Sequence, residues 1–345
     1  MATQTEIARK LGLSQMTVSR VLNDSPLVTA ATKQRVLGEM RKRGYALNVS
    51  ARNLVSRRTG TIGVLVPGGL GMYSPTFLPA LCGIGDEAGS RHLNMLLVTA
   101  EGWRDCRLKL GEAAPKTDGF IVFNFEEFRP FAGRILKQLR ERGKSVVLIQ
   151  PFKPHHRVPY VTIDNESGGR QAAEHLIGLG HRRLGCIGLG YRSKEMDARL
   201  AGFLGGCRAA GIEVPDRWIC QGTKPYTTSV APFFSCLGSD LPTGIFAFSD
   251  RVARLVLYEC AGRGISVPEE LSVVGFNDDA FAQMMLPHLT TIRQLLYEAG
   301  VEAVGRLLPV ARGEDPVPLG LALEPALVVR DSTRRVGEGG GSSRG

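Results

Sequence analysis

The sequence predicts a small all-α headpiece followed by an α/β core of two lobes, each a doubly wound parallel sheet. Three observations carry this prediction. Residues 1 to 46 show helical periodicity without strand signals; near Thr61 the rhythm changes to short β-rich runs alternating with longer helical patterns; and a second set of such runs follows residue 160.

In the first segment Thr3 can cap a helix, and Glu6, three residues on, completes a capping box. Ile7, Ala8 and Leu11 then share one face before Gly12 ends the helix. Ser14 is a natural N-cap for a second helix, in which Val18, Val21 and Leu22 point inward while Gln15, Met16, Thr17, Ser19 and Arg20 stay outside. After a loop at Pro26, a third helix starts near Thr29 and stops at Gly44, with Val36 and Met40 as its core residues. Two short helices joined by a tight glycine-containing turn, the second presenting polar and basic side chains, fit a helix-turn-helix whose second helix enters a major groove. Residues 1 to 60 carry eleven Lys or Arg against three Asp or Glu, so +8 of the net +10 lies there. A positive excess confined to one small segment suits a polyanion-binding module, because neutralising phosphates releases condensed counterions whatever the base sequence. Charge alone would equally allow a solvated basic face.

In the remainder, the runs 62–66, 95–99, 120–123 and 146–149 form one parallel set, and 184–187, 244–248 and 271–276 form another. The break between them falls at Tyr160 to Asp164. A helix around Gln294 to Ala311 and a run from Leu319 to Val329 follow the second set, so the chain is expected to cross between lobes again. The expected organisation is a headpiece over 1–46, a hinge helix and linker over 47–60 and a core over 61–336. Within the core the first lobe takes about 61–160 and 293–318, the second about 161–290 and 319–332. The Gly- and Ser-rich stretch 337–345 is expected to be a disordered tail.

No stretch approaches the roughly 18 apolar residues of a membrane span, and the N-terminus lacks the charged start, apolar run and cleavage site of an export signal. A cytoplasmic location without a membrane partner is expected. The seven cysteines are scattered and form no CxxC pair, which predicts buried free thiols in place of a disulfide framework or zinc site. No metal and no cofactor are expected.

The run from Ile7-Ala8 through Gly12-Leu13-Ser14-Gln15-Met16-Thr17-Val18-Ser19-Arg20-Val21-Leu22-Asn23, followed by Arg43-Gly44-Tyr45, resembles the headpiece of the LacI/GalR family of bacterial transcriptional regulators. Further matches extend the resemblance over nearly the whole chain: Thr61-Ile62-Gly63-Val64, Ile163-Asp164-Asn165 with Gly180-His181, Arg199-Leu200-Ala201-Gly202-Phe203, Val274-Gly275-Phe276-Asn277-Asp278 and Leu289-Thr290-Thr291-Ile292. The resemblance implies a periplasmic-binding-protein-like core and a homodimeric, ligand-responsive regulator of transcription. Such a regulator, expected to be a repressor, binds pseudo-palindromic double-stranded operator DNA under the control of a small metabolite such as a sugar or sugar derivative. Without a C-terminal heptad zipper, zipper-held tetramers are not expected.

By the same resemblance Gln15, Met16 and Arg20 sit where base edges are read, while Ser14, Thr17, Ser19, Asn23, Thr29, Thr32 and Tyr45 sit where phosphates are held. Arginine offers a bidentate fork to guanine and short hydroxyls suit phosphate oxygens, whereas Met16 is limited to apolar contacts. The segment Asn48-Val49-Ser50-Ala51-Arg52-Asn53-Leu54 looks like the family's hinge helix, which adds Asn48, Ala51, Arg52 and Leu54 to the DNA-contacting set. Leu54 would wedge into the minor groove with Arg52 as its electrostatic support; a linker-packing leucine is the alternative. Leu47 departs from the family pattern, which commonly has proline there.

Ligands of paired open α/β lobes bind at the carboxyl ends of the strands, between the lobes. Those ends fall at Val66 to Gly69, Phe123 to Phe125, Gln150, Phe248 to Asp250 and Phe276 to Asp278. The resemblance makes Arg199 an effector-holding residue and puts Gln150, Ser249 and Asn277 at contact positions that often carry Asp or Asn, so the site is expected to be short of carboxylates. Tyr73, Phe125 and Tyr226 are candidate stacking platforms. For Arg199 a buried ion pair is the alternative. Asp278 and Asp279 do not make a catalytic acid pair, since adjacent side chains diverge and no nucleophile motif accompanies them. Gly83-x-Gly85 opens inside a helical pattern and is no dinucleotide loop. The chain is therefore not expected to be an enzyme, and a solute-binding protein of a transport system is the rival reading of the core.

Overall fold

A computed structural model describes residues 3–22, 27–43, 58–68, 77–123, 126–151, 157–188, 193–221, 230–314 and 318–337. The chain divides into two compact units, Met1–Thr59 and Gly60–Gly345.

The first unit holds α1 (Gln4–Leu11), α2 (Gln15–Leu22) and α3 (Ala30–Lys42). The capping box forms, with the Glu6 amide donating to Thr3 Oγ1 and the Thr3 amide to Glu6 Oε2, at 3.3 and 2.8 Å. Gly12 closes α1 in the left-handed conformation at φ 67°, which frees the chain to turn at once into α2. Ile7, Ala8, Val18, Val21, Val36 and Met40 are buried together and form the unit's core. Burying a valine- or leucine-sized side chain contributes about 1.5 to 3 kcal/mol, which is what holds three such short helices in place.

The second unit holds two six-stranded sheets. The first is built from β1 (Thr61–Pro67), β2 (Asn94–Ala100), β3 (Gly119–Phe123), β4 (Ser145–Ile149), β5 (Tyr160–Ile163) and β11 (Gly320–Leu323), in the order β11-β5-β4-β3-β1-β2. The second is built from β6 (Leu184–Gly188), β7 (Ile219–Gln221), β8 (Gly244–Ala247), β9 (Ser272–Asn277), β10 (Thr290–Arg293) and β12 (Ala326–Val328), in the order β12-β10-β9-β8-β6-β7. Every pairing is parallel except that of β12 with β10. The interior strands β3, β6 and β8 are buried along their whole length. Their unbroken small and apolar runs GFIVF, LGCIG and GIFA are what a sheet covered on both faces requires.

Sheet membership moves the lobe boundaries from those expected. Residues 160–163, read as the break between lobes, are β5 and pair with β4 in the first sheet. The run 319–329, assigned wholly to the second lobe, splits: β11 pairs with β5 in the first sheet and β12 with β10 in the second. Residues 290–293 form β10, so the second sheet extends past 290. These strands are only three or four residues long and flank crossings, too short to carry the alternation that reveals a strand in sequence.

Three brief connections therefore join the lobes: Asp164 after β5, Gln294 and Leu295 after β10, and Glu324 with Pro325 after β11. Each leaves the carboxyl end of a strand, so the carboxyl edges of the two sheets are tied to each other. Lys194 Nζ, from the second lobe, donates to the carbonyl oxygen of Pro151, just beyond β4 in the first, at 3.4 Å. Gly83 lies in α4 (Phe77–Ser90), where a Cβ would collide with the Tyr297 carbonyl of the facing helix α11 (Leu296–Ala311); that glycine serves helix packing.

Candidate nucleic-acid interface and ligand site

On α2 the burial of Val18 and Val21 leaves Gln15, Met16 and Arg20 exposed, with Thr17 and Ser19 at the margin. Met16 is 63% exposed, an unusual position for a large apolar side chain unless it meets a partner. Ser14 Oγ accepts from the Thr17 amide at 3.1 Å and lies 2.9 Å from Thr17 Oγ1. The start of α3 repeats this pattern: Thr29 Oγ1 accepts from the Thr32 amide at 3.4 Å and lies 3.0 Å from Thr32 Oγ1. Two helix N-termini thus each present a pair of hydroxyls, and helix N-termini with spare donors favour anionic oxygens. Asn23, Tyr45, Asn48, Ala51, Arg52 and Leu54 lie outside the described residues, as do Tyr73, Phe125 and Tyr226 of the second unit.

In the second unit Arg199 sits on α8 (Lys194–Ala209), whose N-cap Ser193 accepts from the Met196 amide. The helix packs against α7 (Asn165–Gly178) through glycines: a Cβ on Gly202 would strike the Glu166 carbonyl, and one on Gly169 the Arg199 carbonyl. This close approach delivers Arg199 to the carboxyl edge of the second sheet. There the side chain is only 4% exposed. Its Nε donates to Asn165 Oδ1 at 2.8 Å, one nitrogen of its fork donates to the Phe248 carbonyl, and its plane lies 3.7 Å from the centroid of the Phe276 ring. Asn165 is held in turn by donating Nδ2 to the Ile163 carbonyl at 3.1 Å. Burial pulls the Arg199 guanidinium down to about 9, against Glu195, Asp250 and Asp279, which hold it up.

Ser249 and Asn277 lie at the same edge. Ser249 caps α10 (Asp250–Arg263), its Oγ accepting from the Val252 amide at 3.3 Å. Asn277 ends β9 at φ 123°, a backbone conformation that side chains rarely adopt, and Asp278 follows at 58°. Such strain persists where surrounding structure over-determines it, commonly at binding sites. Asn277 Oδ1 accepts from Gln294 Nε2 at 2.5 Å. Gln150, at the carboxyl end of β4 in the other lobe, is also left-handed at φ 53°. Arg199, Ser249 and Asn277 are thus brought to one edge, with Gln150 on the facing lobe.

The sequence reading passed over several members of this edge. Asp250 is fully buried, accepting from Thr291 Oγ1 at 2.6 Å and from the Asp279 amide at 2.7 Å. Desolvation pushes its carboxyl up to about 7, with the hydrogen bonds from Thr291 and Asp279 opposing. Burial likewise raises Asp279. Asp278 turns away to Arg293 and Arg330, at 2.7 and 2.6 Å. Asn165 stood inside a run already singled out, next to the first crossing; nothing in the local pattern marked Asp279 or Gln294. Among the described residues no group of His, Cys, Asp and Glu is arranged to hold a metal ion.

A helix-turn-helix unit joined in one chain to paired open α/β lobes defines a ligand-responsive DNA-binding regulator. Residues 3–48 match the family described as bacterial regulatory proteins, lacI family, and residues 173–333 match a periplasmic binding protein-like domain. The chain is 30% identical to the HTH-type transcriptional regulator DegA of Bacillus subtilis over 95% of this chain and 97% of that protein. It is 32% identical to the HTH-type transcriptional regulator CelR of Thermobifida fusca, over 94% and 96%. Among solved structures, the transcriptional regulator CelR–cellobiose complex superposes with a TM-score of 0.69 at 28% identity, covering 96% of this chain and all of that one. The chain belongs to the LacI family: it is a DNA-binding regulator of transcription and not an enzyme.

Proposed function

We propose that this regulator is a cytoplasmic homodimer that represses transcription from a pseudo-palindromic operator, and that a sugar or sugar derivative bound between the lobes of its core alters its hold on DNA. The observation that carries the DNA side is α2, which buries Val18 and Val21 and leaves Gln15, Met16 and Arg20 to face a major groove. In this reading Arg20 forks onto a guanine, Gln15 and Met16 complete base readout, and the hydroxyls of Ser14, Thr17, Ser19, Thr29 and Thr32 hold phosphates, joined by Asn23, Tyr45 and the hinge residues Asn48, Ala51, Arg52 and Leu54. Two-fold symmetry of the protein is then mirrored in the two half-sites.

The effector side rests on Arg199, Ser249 and Asn277 at one carboxyl edge and Gln150 on the other lobe, with Tyr73, Phe125 and Tyr226 as stacking platforms. The cellobiose named in the CelR complex supports a sugar as the ligand class. Binding between the lobes would act on the short crossings at 164, 294–295 and 324–325, and so on how the lobes are arranged.

Selection of bound duplexes from a random pool, followed by gel shift, tests the reading. The full chain should enrich a two-fold sequence, and residues 61–345 alone should remain folded, dimeric and sugar-binding while losing operator affinity. Arg20→Ala should cost ~1 to 3 kcal/mol on the selected sequence and narrow its margin over random DNA. Strong specific binding by residues 61–345, or equal losses on both DNAs for Arg20→Ala, would contradict it.

A further inference from the structure

Two buried acceptor oxygens at the carboxyl edge of the second sheet, Asp279 Oδ2 and Gln294 Oε1, have no hydrogen-bond partner among the described residues. Their residues are 9% and 6% exposed. Both belong to one run of contacts. Gln294 Nε2 donates to Asn277 Oδ1, the Asn277 side chain bonds Asp279, and the Asp279 amide donates to Asp250 Oδ2. Donors along this run are spent and the two acceptors are left over. Native proteins seldom leave such oxygens unpaired, because the lost hydration is not recovered.

Charge at this edge points the same way. Glu195, Asp250 and Asp279 all act on the Arg199 guanidinium, and Arg251 is the further cation beside Asp279. Three carboxyl groups thus share two cations, while Asp278 is occupied with Arg293 and Arg330. Arg199 already spends donors on Asn165 and Phe248. A phosphate or carboxylate brought here would meet the unpaired oxygen of Asp279, whereas a hydroxyl can donate to it. The shortage of carboxylates expected from Gln150, Ser249 and Asn277 is made up by neighbours of those residues.

We infer that Asp279 Oδ2 and Gln294 Oε1 accept hydroxyls of the effector, and that they select an uncharged polyhydroxy ligand over its phosphate or its acid. This rests on the effector site proposed above. Gln294 also lies in the second crossing between lobes, so a hydroxyl bound there touches the hinge itself.

Thermal-shift and calorimetric titration of the full-length protein tests this. The probes are a panel of neutral mono- and disaccharides, cellobiose and D-ribose among them, with the phosphomonoesters and uronic acids of the same sugars. At least one neutral sugar should bind, and its charged derivatives should bind about tenfold or more weakly. Asp279→Asn and Gln294→Met should each weaken that sugar about tenfold or more, the loss expected when a buried hydrogen bond to the ligand is removed. Silence from every neutral sugar, a charged derivative binding as tightly as its parent, or wild-type affinity in both variants would each overturn the inference. If Asp279→Asn melts as an unfolded protein, Gln294→Met and the wild-type selectivity decide. An operator gel shift on the same wild-type sample separates this from the regulator reading, which fails if the DNA is not bound.

Discussion

The guanidinium of Arg199 is built into the second lobe by Asn165, the Phe248 carbonyl and the Phe276 ring, so one side chain serves both packing and the proposed recognition. Replacing it with alanine leaves a buried amide oxygen and a buried carbonyl without donors and opens a cavity against Phe276. Arg199→Ala should therefore destabilise the core by about 2 to 4 kcal/mol as well as abolish the sugar response, measurable by chemical denaturation beside titration. A variant as stable as wild type would show that these contacts contribute little to the fold. The two readings of Arg199 left open by the sequence become one buried residue with neutral partners, and not an ion pair. Arg199, Ser249 and Asn277 could be found because they end strands or lie in a recognisable run. Asp279 and Gln294 could not, because being buried without a partner depends on what the rest of the fold brings near, and no local spacing encodes it.

Longer elements announced themselves better than short ones. Helices α1 and α2 were readable from Thr3, Glu6, Gly12 and Ser14 together with the spacing of Ile7, Val18 and Val21, and interior strands from their apolar runs. The short edge strands β5, β7, β11 and β12 have little periodicity of their own and are specified by the partners they pair with. Helix α8 shows how close packing is written in single residues. Gly202 faces the Glu166 carbonyl, while Gly205, one turn later on the same helix, has nothing within 4 Å of the point a Cβ would occupy. Gly202→Ala must push α7 and α8 apart and should lower stability by roughly 1 to 3 kcal/mol, the usual cost of overpacking. Gly205→Ala gains helix propensity and should be neutral or stabilising by about 0.5 to 1 kcal/mol. Equal effects in urea melts would mean that the helix approach is not what Gly202 provides.

At the scale of the whole core, the chain enters the second lobe at Asp164, leaves it after β10, and returns after β11 to close on itself with its final described residues. Ser332 Oγ accepts from the Thr290 amide and donates to the Val273 carbonyl, and the Val336 amide donates to Leu179, at 2.8, 2.6 and 2.8 Å. Two histidines complete this closure. His181 Nε2 donates to the Arg334 carbonyl at 3.1 Å and pairs through Nδ1 with Thr243 Oγ1, while His175 Nε2 meets Thr333 Oγ1 at 3.0 Å. Burial lowers the affinity of both rings for a proton below the ordinary 6.5. The unfolded chain therefore binds more protons than the fold once the pH drops through 6.5, and stability must fall with it, down to the lowered value where the two states again bind equally. Asp250 works in the opposite sense, since its raised carboxyl favours the fold between its ordinary 3.8 and about 7 on the acid side, yet that contribution is common to any two proteins that both retain it. Comparing wild type with the double variant His175→Gln, His181→Gln cancels it. Melting temperatures taken from pH 8 down to pH 5 should show wild type losing stability relative to the variant below pH 6.5, even if the variant starts lower. Parallel curves would mean that neither ring is held neutral by the closing segment.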